Sequence, residues 1–168
     1  MMRIAIFGAT RGCGLESLLL LLDQTSEPNV EVHAFVRNKE SFLTTLKARS
    51  IDASKLQKLH IFVGDALKLA SVKEFFQSLA SRGHLDHVIS SLGTLPVYSI
   101  WKPLTLQMPP GMEHICSDSM NNILKGLEMI APQQSDKLAP NLTVVSSNGM
   151  GKTSHDQLPM LLKPVCEW

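Results

Sequence analysis

Three glycines at fixed spacing lie near the start of the chain, in the run Gly8-Ala9-Thr10-Arg11-Gly12-Cys13-Gly14-Leu15. An apolar segment precedes them and a leucine-rich segment follows, which is the strand–turn–helix context of a dinucleotide-binding turn. Glycine there allows the tight turn, the approach of a pyrophosphate and close packing of helix on strand, while the free N–H groups of the helix attract phosphate. A plain strand-to-helix turn is the alternative. The pattern predicts a cofactor contact for each of these residues: Gly8, Thr10, Arg11, Gly12, Cys13, Gly14 and Leu15.

Two basic residues bear on which dinucleotide would bind. A site that prefers NAD usually places Asp or Glu at the end of the second strand, to hold the ribose 2′-hydroxyl. This chain has Arg37 there, followed by Asn38, and a second arginine, Arg11, inside the glycine turn. Two guanidinium groups favour a 2′-phosphate through charge-assisted, bidentate hydrogen bonds. We therefore predict NADP rather than NAD, with solvated surface charges as the alternative explanation of both arginines.

Apolar segments alternate between strand-like and helix-like character. The predicted strands are continuous aliphatic runs, as in a parallel sheet covered on both faces: Arg3–Phe7, Val30–Val36, His60–Val63, His87–Ser91 and Leu142–Val145. Helical patterns separate them, with leucines from Leu15 to Leu22, then Glu40–Arg49, Ser71–Ser81 and Met112–Ile130. Together they predict an α/β fold, a doubly wound parallel sheet of about five strands in three layers, as one Rossmann domain over residues 1–168.

The glycine spacing resembles the motif G-x-x-x-G-x-G of the short-chain dehydrogenase/reductase superfamily, which Gly8, Gly12 and Gly14 match in full. The segment GATRGCGLE, together with VRN at the end of the second strand, looks most like the corresponding segments of the atypical, NmrA-like branch of that superfamily. The resemblance covers nearly the whole chain but thins after Met150. Because family members continue further, we expect the usual C-terminal substrate-binding part to be lacking.

The resemblance also implies roles at the ends of later strands. Asp65 and Ala66, after the third strand, would contact the adenine, although Asp65 could equally cap the following helix. Small residues after the fourth strand would lie beside the ribose and nicotinamide, or would only allow close packing: Ser90, Ser91, Leu92 and Gly93. Ser146 or Ser147, at the end of the fifth strand, lies where the family's catalytic serine would be, and Ser146 is also expected to contact the cofactor.

The only tyrosine, Tyr98, has Lys102 at the family's Tyr-x-x-x-Lys spacing, but this pair lies before the longest helix and not after the fifth strand, where the resemblance would place it. The catalytic residues are therefore unassigned. The resemblance implies an NADP(H)-dependent oxidoreductase acting on a small organic substrate. A non-catalytic NmrA-like dinucleotide-sensing protein and a truncated inactive form are the alternatives.

Composition excludes several other partners. The net charge is +1, without the basic face that nucleic acid or an anionic membrane requires. The cysteines Cys13, Cys116 and Cys166 have no metal or redox spacing. We expect a cytoplasmic protein with no metal. If the chain is a truncated form, an exposed apolar sheet edge would promote self-association.

Two further segments invite interpretation. From Gly93 to Gly111 the chain is proline-rich and aperiodic, which predicts a long structureless loop, either a substrate lid carrying Tyr98 and Trp101 or a surface insertion. Asn121 and Asn122 in the longest helix could support a water chain near the cofactor, but solvated helix surface is the simpler explanation.

Overall fold

The centre of the fold is a five-stranded parallel sheet in the order β3-β2-β1-β4-β7. The computed structural model describes residues 1–23, 30–93, 97–98, 106–107, 114–134 and 139–145. The strands are β1 (Met2–Phe7), β2 (Val30–Val36), β3 (Leu59–Val63), β4 (His87–Ser90), β5 (Val97–Tyr98), β6 (Leu106–Gln107) and β7 (Asn141–Val144). In the sheet Ala5 lies between His33 of β2 and Val88 of β4. The predicted doubly wound α/β architecture is confirmed.

Helices cover both faces of this sheet. They are α1 (Gly12–Asp23), α2 (Lys39–Ala48), α3 (Ala53–Leu56), α4 (Leu69–Ala80) and α5 (Ile115–Ile130), the last followed by a 3₁₀ turn, Ala131–Gln134. Alternate residues of β1 face opposite sides. Ile4 and Ile6 pack in one core with Leu18 of α1, and Phe7 packs in a second core with Phe76 of α4. The result is the predicted three-layer arrangement.

Two elements differ from the sequence prediction. The connection from Gly93 to Gly111 is not structureless, because β5 and β6 pair within it as an antiparallel hairpin. Strands of two residues carry no detectable periodicity, which is why the pattern missed them. The short helix α3 was likewise not predicted. Trp101 lies outside the described residues, so the proposed lid is not tested.

β7 forms one edge of the sheet among the residues that the structure describes. Its last residue, Val144, is 51% exposed, whereas Val88 on the neighbouring strand β4 is buried. An exposed edge strand favours pairing with another chain. Self-association remains a prediction that rests on this edge.

Arg3 fixes the amino-terminal edge of the sheet to the end of α4. Its side chain is buried, and Nη1 donates hydrogen bonds to the carbonyl oxygens of Leu79 (3.1 Å) and Gly83 (2.8 Å). A guanidinium at a helix carboxyl end satisfies carbonyl groups left without helical partners and complements the helix dipole. Nε of the same guanidinium bonds Glu31 at 3.2 Å. This end of the molecule is therefore structural, opposite the edge where ligands bind in such sheets.

His33 lies buried beside this cluster and stacks on His60, with ring centroids 4.9 Å apart. Burial lowers the pKa of His33 to about 4. The charges of Arg3 and His60 also lower this pKa, whereas the nearby Glu31 carboxylate raises it. The imidazole is therefore neutral in the folded protein at neutral pH.

We expect this histidine to make stability depend on pH. Its pKa falls from 6.5 to about 4 on folding, so between these values the unfolded chain binds the extra proton and stability decreases as the pH is lowered. The loss attributable to His33 is on the order of 3 kcal/mol by pH 4. Urea unfolding at pH 7 and pH 4.5 measures it: His33→Phe should lose less stability than the unmodified chain, and the exposed His114→Gln variant should match the unmodified chain. Equal losses in all three proteins would contradict the assignment.

Candidate nucleotide-binding site

A cleft of about 200 Å³ opens at the carboxyl edge of the sheet. Residues that directly follow each of the strands β1 to β4 line this cleft, and the start of α5 completes its wall. The lining residues are Gly8, Thr10, Arg11, Phe35, Arg37, Asn38, Ser41, Asp65, Leu67, Ser91, Leu92, Gly93 and Ile115. The strand order reverses its direction between β1 and β4, and open α/β sheets bind ligands at such a reversal.

The glycine turn is tightly packed against the end of β4. A Cβ on Gly8 would lie 2.3 Å from the carbonyl oxygen of Ser91, and one on Gly14 would lie 2.3 Å from the carbonyl oxygen of Gly8. Gly12 has open space around it but a φ of +58°, where side chains are disfavoured. Close packing requires glycine at two positions, and backbone conformation favours it at the third.

Nine of the residues predicted from the sequence line the cleft, and the other described ones lie beside it. The nine are Gly8, Thr10, Arg11, Arg37, Asn38, Asp65, Ser91, Leu92 and Gly93. Gly12 and Cys13 are exposed at the start of α1, and Gly14 is buried in the same turn. The side chains of Leu15, Ala66 and Ser90 are buried, so any ligand contact from them would come through the backbone. Ser146 lies outside the described residues.

The two arginines are exposed and share the cleft. Neither forms an ion pair with another residue of the described part of the chain. The Asn38 side chain, by contrast, already has a partner within the protein. Its Oδ1 accepts a hydrogen bond from the Ser41 N–H at 2.9 Å and so caps α2. The cleft therefore joins two uncompensated guanidinium groups to the amino end of a helix, a combination that attracts anions.

Asp65 forms a turn and does not cap a helix. Its Oδ1 accepts from the Leu67 N–H at 3.1 Å, and its carbonyl oxygen accepts from the Lys68 N–H at 2.9 Å. The helix that follows begins at Leu69, with Lys68 at the cap position. The alternative interpretation of Asp65 as an N-cap is wrong, and the turn brings both Asp65 and Leu67 into the cleft.

Sequence reasoning missed four lining residues: Phe35, Ser41, Leu67 and Ile115. Phe35 precedes Arg37 by two residues on β2 and so shares its face, a signal that could have identified it. Ile115 is far from the motif in sequence, and only the packing of α5 brings it to the cleft. The prediction that Asn122 lies on the solvated surface of the helix is wrong, because Asn122 is partly buried and hydrogen-bonded to Ala66. Asn121 is exposed as expected.

Two features of the described residues bear on other functions. None of the helices there is long and apolar enough to cross a membrane. Nor do three or more His, Cys, Asp or Glu side chains in those ranges converge as they would around a metal ion.

Solved structures share this fold. The carbonyl reductase from chicken fatty liver, solved with NADPH bound, has a TM-score of 0.66 and 19% identity over 98% of this chain and 67% of its own. The short chain oxidoreductase from Pseudomonas aeruginosa PAO1, which contains an atypical catalytic center, has a TM-score of 0.64 and 17% identity over 89% and 54%. A short-chain type dehydrogenase/reductase from Mycobacterium marinum has a TM-score of 0.62 and 14% identity over 88% and 56%.

At these identities the likeness establishes a common fold. The chain spans 54 to 67% of the length of these three proteins. No protein-family model matches the sequence, and no curated protein matches it. The NmrA-like character and the missing C-terminal part therefore remain predictions.

The packing of the glycine turn gives a testable difference in stability. Gly14→Ala should destabilise the fold by about 3 kcal/mol, because its methyl group would collide with a carbonyl oxygen that cannot move freely. Gly12→Ala, with open space and only an unfavourable φ, should cost about 1 kcal/mol. Urea denaturation of the two variants measures the difference. Equal stabilities would mean that the first helix does not pack against the turn as described.

Proposed function

We propose that the cleft binds NADP(H) and that the chain is an NADP(H)-dependent oxidoreductase of the short-chain dehydrogenase/reductase type acting on a small organic substrate. The observation that carries this proposal is that Arg11 and Arg37 line the same cleft as the glycine turn. The cleft brings together the glycine turn and two cations, and the only carboxylate among the described lining residues is Asp65.

The residues present fit the adenosine half of such a cofactor. The pyrophosphate would lie over the glycine turn, where the N–H groups and dipole of α1 favour negative charge. Arg11 and Arg37 would hold the 2′-phosphate, with the Ser41 hydroxyl as a further donor. The adenine would lie against the turn of Asp65 and Ala66 and the 39% exposed side chain of Leu67.

The volume of the cleft agrees with a partial enclosure of this kind. Its 200 Å³ is below the roughly 300–1,000 Å³ of pockets that enclose whole drug-sized ligands. The described residues would therefore contain the adenosine and phosphates, and Ser91, Leu92 and Gly93 would continue toward the ribose and nicotinamide. When bound, the cofactor would supply the hydride, and the protein would orient it and the substrate.

A second function is favoured by one observation on the sequence. The only tyrosine, Tyr98, has Lys102 at the family's Tyr-x-x-x-Lys spacing, but the pair comes before α5 and not after β7, where the resemblance would place the catalytic pair. A protein that binds the dinucleotide without turnover, as a sensing or regulatory protein, would need the same cleft and no proton donor. NADPH oxidation with a panel of carbonyls, quinones and flavins separates the two: binding without turnover of any compound would favour the sensing function.

The cofactor preference is tested by calorimetric titration with NADPH and NADH. We expect the unmodified chain to bind NADPH more tightly than NADH. Arg37→Asp should lower the affinity for NADPH by about 10- to 100-fold, the scale of a lost hydrogen-bonded charge pair. The affinity for NADH, which lacks the 2′-phosphate, should change far less.

Arg82→Asp is the matched control, because Arg82 is exposed after α4 and does not line the cleft. It changes the net charge equally but should leave both affinities unaltered. An equal loss of NADPH affinity in both variants would mean that the effect of Arg37 is only a long-range charge effect.

A further inference from the structure

One face of α5 is turned toward both the cleft and α4. Ile115, Ser119, Asn122 and Gly126 are three or four residues apart and therefore share that face. Ile115 lines the cleft at the start of the helix, and Ser119 and Gly126 are buried. Asn122 lies between them, on the inner side of the helix.

Gly126 determines how closely this face approaches the rest of the protein. A Cβ on Gly126 would lie 2.3 Å from the ring of Phe76 and 3.2 Å from the side chain of Val72, both on α4. The absence of a side chain therefore lets the two helices pack closely. One turn earlier, the same close approach brings Asn122 within reach of the loop that precedes α4.

Asn122 uses that proximity for one long-range hydrogen bond. Its Nδ2 donates to the carbonyl oxygen of Ala66 at 2.9 Å, across 56 residues of sequence. Ala66 is only 7% exposed, so its carbonyl group has little access to water. Leaving such a group without a partner costs more than an exposed hydrogen bond contributes.

The carbonyl of Ala66 belongs to the turn that faces the cleft. Within this turn the Leu67 N–H donates to the Asp65 side chain, and both residues line the cleft, whereas Ala66 is buried and is not a lining residue. The turn is therefore held by the Asp65 side chain at the cleft and by the Asn122 side chain from α5. Asn122 itself does not line the cleft.

We propose that Asn122 is a positioning residue that holds the Asp65–Leu67 turn in its binding conformation and so sets the affinity for the adenine half of the nucleotide. This inference rests on the proposed nucleotide-binding function. Without the hydrogen bond, the ligand must order the turn when it binds, and that ordering reduces affinity. Because the 2′-phosphate is assigned to the arginines, Asn122 affects NADPH and NADH alike.

The test compares Asn122→Ala and the nearly isosteric Asn122→Asp, which cannot donate, with Asn121→Ala. Asn121 is the adjacent residue of the same type and is exposed. Each protein is titrated with NADPH, NADH and 2′,5′-ADP, which has the adenine and 2′-phosphate but no nicotinamide. Both Asn122 variants should bind all three ligands about five- to tenfold more weakly, with the NADPH-to-NADH affinity ratio unchanged. Asn121→Ala should bind as the unmodified chain does.

A measurement on the unmodified chain keeps the inference testable if the Asn122 variants fold poorly. In ¹⁵N NMR, saturation with 2′,5′-ADP should shift the side-chain amide signal of Asn122 and leave that of Asn121 in place.

Three outcomes would overturn the inference. Affinities of both Asn122 variants within twofold of the unmodified chain would do so while leaving nucleotide binding intact, and so would an Asn122 signal that does not respond to bound 2′,5′-ADP. An unmodified chain that binds none of the three ligands would overturn the proposed function and this inference with it.

Discussion

The close approach of the first helix to the backbone of the turn before it is the constraint on which the cleft depends. Gly14 packs against the carbonyl of Gly8, and Gly8 packs against the carbonyl of Ser91 at the end of β4. The Ser91 N–H also donates to the carbonyl oxygen of Phe7 at 2.9 Å, so the ends of β1 and β4 are held together just beneath the turn. Any side chain at these two glycines would separate the helix from the strands and open the floor of the cleft.

The two edges of the sheet serve different purposes. At the amino edge, the buried charge of Arg3 is compensated by Glu31 and by the carbonyl groups that end α4. At the carboxyl edge, Arg11 and Arg37 have no such compensation among the described residues and face the cleft. Uncompensated charge at one edge and satisfied charge at the other is the arrangement expected where only one edge is available to an anion.

The helix α5 connects the cleft to the second core. Its first residue, Ile115, contributes to the cleft wall, and its carboxyl-terminal half packs on α4 through Gly126. Asn122 joins these two regions through the carbonyl of Ala66. The position of α5 therefore affects both the wall of the cleft and the turn beneath the proposed adenine position.

The sequence alone determined the fold and the first half of the site. Continuous apolar strands and helical periodicity predicted the parallel sheet, and the glycine turn with Arg11 and Arg37 predicted residues that the structure brings to one cleft. These features are local, since a strand, a turn and a helix start are encoded by residues within one short segment. The end of β2 could be located for the same reason.

Only the tertiary structure decided the contributions that come from distant segments. Nothing in the sequence near Asn122 indicates a partner 56 residues away, and its neighbour Asn121 has the same residue type but is exposed. The same holds for Ile115 in the cleft wall and for Asp65, whose side chain forms a turn where a helix cap was equally compatible with the sequence. Sequence patterns specify which face of an element is buried, but the distance between two packed elements, here set by Gly126 against Phe76, decides which polar groups on those faces meet.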